Sequence, residues 1–164
     1  MNLFNQAGSR QISLSWIALL RILVGLMFLT TWGNNLRNGY YTPDGLARFF
    51  NEFYPPAENP LPFYGAFINN IILSNRDVFA PFQLVAEGFM SVALLVGFFT
   101  PFFSLAGIFF LANTFLASLG HDWPWSYLLP IGILAVTFFT CSGRALGVDA
   151  YLLKRFGERS RWLW

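Results

Sequence analysis

Four stretches of the chain run apolar for about the 20 residues that span a hydrocarbon core, without the polar spacing of a half-buried helix or strand. They cover about residues 15–33, 78–99, 102–119 and 123–141. Thr100-Pro101 joins the second and third: Thr suits a helix cap and Pro a first turn, so the two form an antiparallel hairpin. Gly120-His121-Asp122 joins the third and fourth, with Asp122 placed to cap and Pro124 in the following turn, giving a second hairpin. The pattern predicts an all-α, integral membrane four-helix bundle, a single domain over residues 1–164. Pro130 removes a backbone bond to Ser126 and predicts a kink in the fourth span. Ala93 and Gly97 form a small-xxx-small pair suited to close packing.

Between the first two spans lies a patterned outer loop, residues 34–77. Thr42-Pro43-Asp44 reads as a helix start. Leu46, Phe49, Phe50 and Phe53 follow at i, i+3, i+4 and i+7, with Arg48 and Glu52 one turn apart, so a short amphipathic helix runs up to Pro55-Pro56. Leu61 to Leu73 is too short to cross and carries Asn69 and Asn70, which suits an interfacial or re-entrant helix. After the last span, residues 142–164 interleave Leu152, Phe156 and Trp162 with Lys154, Arg155, Arg159 and Arg161, as in a helix lying on the membrane surface.

Composition agrees: the 164 residues are 55% hydrophobic, 20% aromatic and 11% charged, against roughly 25% charged in soluble domains. Lipid is the expected surrounding. The net charge of +2 gives little support to nucleic-acid binding. Arg10, Arg144, Lys154, Arg155, Arg159 and Arg161 fall on one side of the spans, and Arg37, Arg48 and Arg76, mixed with acids, on the other. The positive-inside rule then places both termini in the cytoplasm. Thr31 to Asn35 lacks a small-x-small cleavage site, so the first span is read as uncleaved. One cysteine, Cys141, and one histidine, His121, exclude an internal disulfide, a CxxC pair and a His/Cys metal site. No metal or covalent cofactor is expected, and Cys141 reads as a packing residue.

Two ionisable groups fall inside spans, Arg21 in the first and Glu87 in the second, where an unpaired charge costs several kcal/mol. Counted from the span ends they differ in depth by roughly 9 Å at about 1.5 Å per residue, so they are expected to pair. Gln83 and Ser91, at i−4 and i+4 from Glu87, extend a polar stripe. Trp32 shares a face with Arg21, and Asn113 adds a polar group in the third span. Arg21, Trp32, Gln83, Glu87, Ser91 and Asn113 are thus candidates to line a pocket, with Glu87 and Arg21 as the catalytic candidates and Glu87 suited to proton exchange. The alternative is a buried pair that only fixes helix register. His121, Asp122, Trp123, Trp125 and Tyr127 gather at the outer interface, either as an aromatic belt with a capping Asp or as a quinone or haem contact.

In order, these residues resemble the DoxX/DoxD-like membrane family, most closely its thiosulfate:quinone oxidoreductase small-subunit (DoxD) branch. Arg21 and Gly25 resemble its Arg-x3-Gly pattern. Glu87, Gly88, Leu94, Leu95, Gly97 and Thr100 resemble its Glu-Gly…Leu-Leu-x-Gly-x-x-Thr pattern, and Gly143, Arg144, Gly147 and Asp149 its Gly-Arg-x-x-Gly-x-Asp close. Asn34-Asn35-Leu36 and Pro101 stand where many relatives carry a basic residue.

The resemblance implies a multi-pass subunit of a bacterial or archaeal cell membrane that works with partner subunits and passes electrons to quinone. Nothing in the sequence supplies a thiosulfate-oxidising centre, so catalysis by this chain alone is not expected. The alternative is a non-catalytic accessory subunit packed against a larger respiratory or photosynthetic complex through its aromatic faces.

Overall fold

The fold is taken from a computed structural model, which describes residues 13–157. Arg10, Arg159, Arg161 and Trp162, invoked above for orientation and anchorage, lie outside the described residues. The described chain is all-helical: α1 (Leu14–Arg37), α2 (Pro43–Phe53), α3 (Pro62–Phe67) continued by a wide turn over Ile68–Leu73, α4 (Arg76–Val96), α5 (Thr100–Ala117), α6 (Trp125–Thr140) and α7 (Val148–Phe156). α1, α4 and α5 are each long and apolar enough to cross a membrane, while α6 has 16 residues. The fourth expected span is shorter than 123–141 because Pro124 stands at the cap position and Cys141 leaves the helix in the left-handed region, φ 48°.

α1 packs along α4 and α6, and α5 packs along α6. Gly25 makes the first of these contacts possible: a Cβ there would stand 2.8 Å from the Leu95 amide nitrogen. The core of Val24, Phe28, Met90, Leu94, Phe103, Leu111, Tyr127 and Leu134 fills the space between α1, α4, α5 and α6. α2 and α3 roof the other end. Thr42 caps α2 by accepting from Gly45 N at 3.1 Å, and Leu46 tucks against Ile72 and Ala80. Asn59 donates to the Leu116 carbonyl at 2.9 Å, so the roof satisfies the open end of α5. Arg48 donates to the Asn38 carbonyl at 2.6 Å, tying the start of the roof to the end of α1.

Two expected caps are replaced. Thr100 is the first residue of α5 and so does not cap it; the carboxylate of Asp149 caps the helix instead. Asp122 does not cap α6, because its carboxylate accepts the Tyr54 and Tyr127 hydroxyls at 2.7 and 2.6 Å.

Candidate functional site

The expected Arg21–Glu87 pair does not form. Gly25 meets Leu95 and Trp32 meets Gly88, which sets Glu87 level with about residue 33, roughly 18 Å from Arg21 at about 1.5 Å per residue. Span ends were a poor ruler because α1 begins well below the end of α4. Arg21 turns toward the tail instead. Fully buried, it donates to the Leu146 carbonyl at 2.9 Å and faces Asp149 electrostatically.

Asp149 accepts from the Phe99 and Thr100 amides at 2.7 and 2.9 Å, and its own N–H donates to the Gly97 carbonyl at 2.9 Å. Burial is the largest influence on its carboxyl and raises its pKa, against the pull of Thr100, Phe99 and Arg21. Gly97 ends α4 in the left-handed region at φ 68°, and a Cβ on it would overlap the Arg21 guanidinium. A Cβ on Gly143 would overlap the Asp149 carboxylate and the Thr100 hydroxyl. Phe99 and Leu146, both with positive φ, supply an amide and a carbonyl to this cluster. Its glycines leave no space for a Cβ, while Arg21 Nε and Nη1 within it have no hydrogen-bond partner among the described residues.

Glu87 occupies a different setting. It is 1% exposed and accepts the Tyr41 hydroxyl at 2.6 Å, with Gln83 one turn earlier facing the same carboxyl. Burial, then the hydrogen bond and charge of Glu87, raise the Tyr41 pKa well above the usual phenol value, so the hydroxyl stays a donor. Trp32 packs on Gly88 and donates its indole N–H to the Leu84 carbonyl at 2.9 Å. Ser91 does not extend the polar stripe. Its hydroxyl donates to the Gly88 carbonyl at 2.7 Å.

Glu87 and Gln83 line a cavity of about 930 Å³ between α4 and α5, with a lining that is mostly apolar. Asn113 lies on its opposite wall at the level of Gln83, each thirteen residues from the α4–α5 connection, 96 − 83 and 113 − 100. Its side-chain oxygen accepts from Tyr64 at 3.0 Å. α4 and α5 pack on each other sparsely, and the lining residues Phe82 and Phe109 are 63% and 73% exposed, so the cavity opens sideways between them. The lateral opening, the apolar wall and a few inward polar groups match the general form of a small-molecule site.

The DoxX family model matches residues 16–122. The chain belongs to the DoxX family. Comparison with curated proteins and with solved structures finds no match. The DoxX match covers α1 to the end of α5 and so contains both walls of the cavity, the roof, Arg21 and Glu87. The Gly143–Asp149 motif lies beyond it and folds back onto Arg21 and the start of α5.

The remaining candidates separate in this DoxX protein. Trp123 and Trp125 are 77% and 69% exposed and do not line the cavity, whereas Tyr127 does. His121 approaches Glu58 at 3.3 Å, so with Asp122 it ties the roof to the α5–α6 connection. Gly143, Gly147 and Asp149 belong to the packed tail-side cluster, with Arg144 at its rim. Sequence reasoning missed Tyr41, Asn35, Tyr64 and Asn59. Tyr41 lies 46 residues from Glu87, and no spacing joins them.

Proposed function

We propose that this DoxX protein is the membrane subunit of a quinone-linked oxidoreductase, of the thiosulfate:quinone type implied by its DoxD resemblance. The observation that carries this reading is the laterally open, apolar cavity with Glu87, Gln83 and Asn113 at its polar end. A quinone dissolved in the bilayer needs an apolar slot for its tail and hydrogen-bonding groups for its two ring oxygens. Gln83 offers an amide donor, and Glu87 can hold or release a proton beside it. The quinone supplies the two-electron redox chemistry, and the chain supplies position, dryness and proton handling. In this reading α6 is a fourth crossing, both termini are cytoplasmic, and a partner subunit oxidises the sulfur substrate. Arg21 has no part in the chemistry.

Purified protein in lipid nanodiscs should bind a short-chain quinone, seen as quenching of Trp fluorescence, with affinity at least tenfold weaker in Glu87→Gln and Gln83→Leu. Absence of binding to the native chain would overturn the proposal. A second reading, an accessory subunit, is favoured by the groove of about 300 Å³ beside Gly132, lined by Leu20, Trp125 and Val136. It suits an apolar partner helix, and a chain that binds no quinone but co-purifies at fixed stoichiometry with a larger complex would support it.

A further inference from the structure

Glu87 lies close to the roof and far from the tail. Level with about residue 33 of α1, it is about one turn below Arg37, the last residue of that helix. The link that follows α1 turns Tyr41 inward, 6% exposed, to donate to the carboxylate at 2.6 Å. On the far side of that hydroxyl stands the half-buried side chain of Asn35, its amide 3.5 Å from the Tyr41 oxygen. A short polar line therefore runs from Glu87 through Tyr41 to the last turns of α1.

Toward the tail the surroundings are of another kind. Val24, Phe28, Met90, Ala93, Leu94 and Phe103 form one buried apolar cluster. Ser91, the one polar side chain on α4 between Glu87 and Val96, directs its hydroxyl to the Gly88 carbonyl. α5 carries no ionisable residue, and Tyr127 is the only one on α6. On the roof, Asp44 pairs with Arg76 and Arg48 with the Asn38 carbonyl; the Tyr64 and Tyr127 hydroxyls on the cavity wall are held by Asn113 and Asp122, so the groups that hydrogen-bond Glu87 among the described residues are Tyr41 from the link and Gln83 from its own helix.

We propose that Glu87 exchanges its proton with the aqueous phase on the roofed face alone, through the Tyr41 hydroxyl. In each transfer the Tyr41 O–H gives its proton to the carboxylate and takes one up from water of the roofed aqueous phase beside Asn35, whose amide donates a hydrogen bond to the phenol oxygen and transfers no proton itself, so Tyr41 ends unchanged. The reverse sequence releases the proton. No electrons move, and no ligand is needed in the cavity, so the proposal stands or falls separately from the quinone reading. Tyr41 is a positioning and relay residue, acting through Glu87.

The test uses the full chain reconstituted in phospholipid vesicles, its orientation read from trypsin access to Lys154 and Arg155. The Glu87 carboxyl is followed by its C=O stretch in difference infrared spectra, assigned by its loss in Glu87→Gln. A pH step on the roofed side should move the band, and the same step on the tail side should leave it unchanged. Tyr41→Phe should slow the response at least tenfold. Asn35→Leu, which leaves the Tyr41–Glu87 bond in place, should slow it as well and serves if Tyr41→Phe does not fold. Ser91→Ala should have no effect. A response to the tail-side step, a native rate in folded Tyr41→Phe or Asn35→Leu, or slowing by Ser91→Ala would overturn the proposal.

Discussion

Within its apolar spans the described chain buries two charged side chains, Arg21 and Glu87, and their surroundings are opposites. Around Arg21 every neighbour is fixed: Gly97, Gly143 and Gly147 are bare because side-chain or backbone atoms occupy the space of a Cβ, and the Asp149 carboxylate holds two amides of the α4–α5 connection. Around Glu87 the partners are a single phenol on a roof link and a glutamine, and beyond them is a cavity. Burial alone therefore does not mark a functional charge in a membrane protein. The distinguishing feature is whether the space beside it is filled by the chain or left for something else.

The largest effect expected from breaking this contrast is at the tail-side cluster. Asp149→Ala would remove the carboxylate that Arg21 faces and leave the Phe99 and Thr100 amides without their acceptor, and hydrogen bonds to a charged group contribute about 1.5–3 kcal/mol each. Thermal unfolding in detergent should show a strongly destabilised protein or none that folds. Arg21→Met, which removes the charge and keeps much of the volume, should be milder than Asp149→Ala, since it leaves the Asp149 hydrogen bonds intact. The reverse ranking would mean that Arg21 carries more than register.

Next in size is Gly97→Ala. The residue ends α4 at φ 68°, where a non-glycine residue costs about 1–3 kcal/mol, and its new methyl would meet the Arg21 guanidinium. Unfolding should occur at lower temperature, with quinone affinity per folded molecule unchanged. A selective loss of affinity at native stability would show that the tail-side cluster and the cavity are coupled.

The outline of the bundle was readable from the chain because lipid demands long apolar runs, and the roof helix α2 because Thr42-Pro43 and its i, i+3, i+4 pattern are local signals. The motif glycines could be located but not interpreted: Gly25, Gly88, Gly97 and Gly143 each serve a contact with a residue distant in sequence, invisible to any local period. Pairing Arg21 with Glu87 failed for the same reason. It took helix ends as level, whereas the α1–α4 register is set by Gly25 on Leu95 and Trp32 on Gly88. Tyr41 was missed because a tyrosine in a link carries no sign of its direction, and only the turn Gly39–Thr42 aims it inward.

Smaller again is Trp32→Phe, which keeps the ring over Gly88 and loses the bond to the Leu84 carbonyl. One hydrogen bond contributes about 1 kcal/mol, and the unfolding midpoint should fall modestly.

The smallest effect on stability, and the one that sharpens the contrast most, is expected from Glu87→Gln. The substitution is nearly isosteric, removes a charge from an apolar site and retains an oxygen to accept from Tyr41. The relief of charge burial and the weaker hydrogen bond oppose each other, so stability should change by less than about 1 kcal/mol in either direction. Proton exchange at the site should nevertheless disappear. Paired with Asp149→Ala in one unfolding series, it asks whether the two buried acids differ in kind: Asp149 needed for folding, Glu87 dispensable to it. A Glu87→Gln protein as unstable as Asp149→Ala would place both carboxylates in the framework, leaving the cavity without a resident proton carrier.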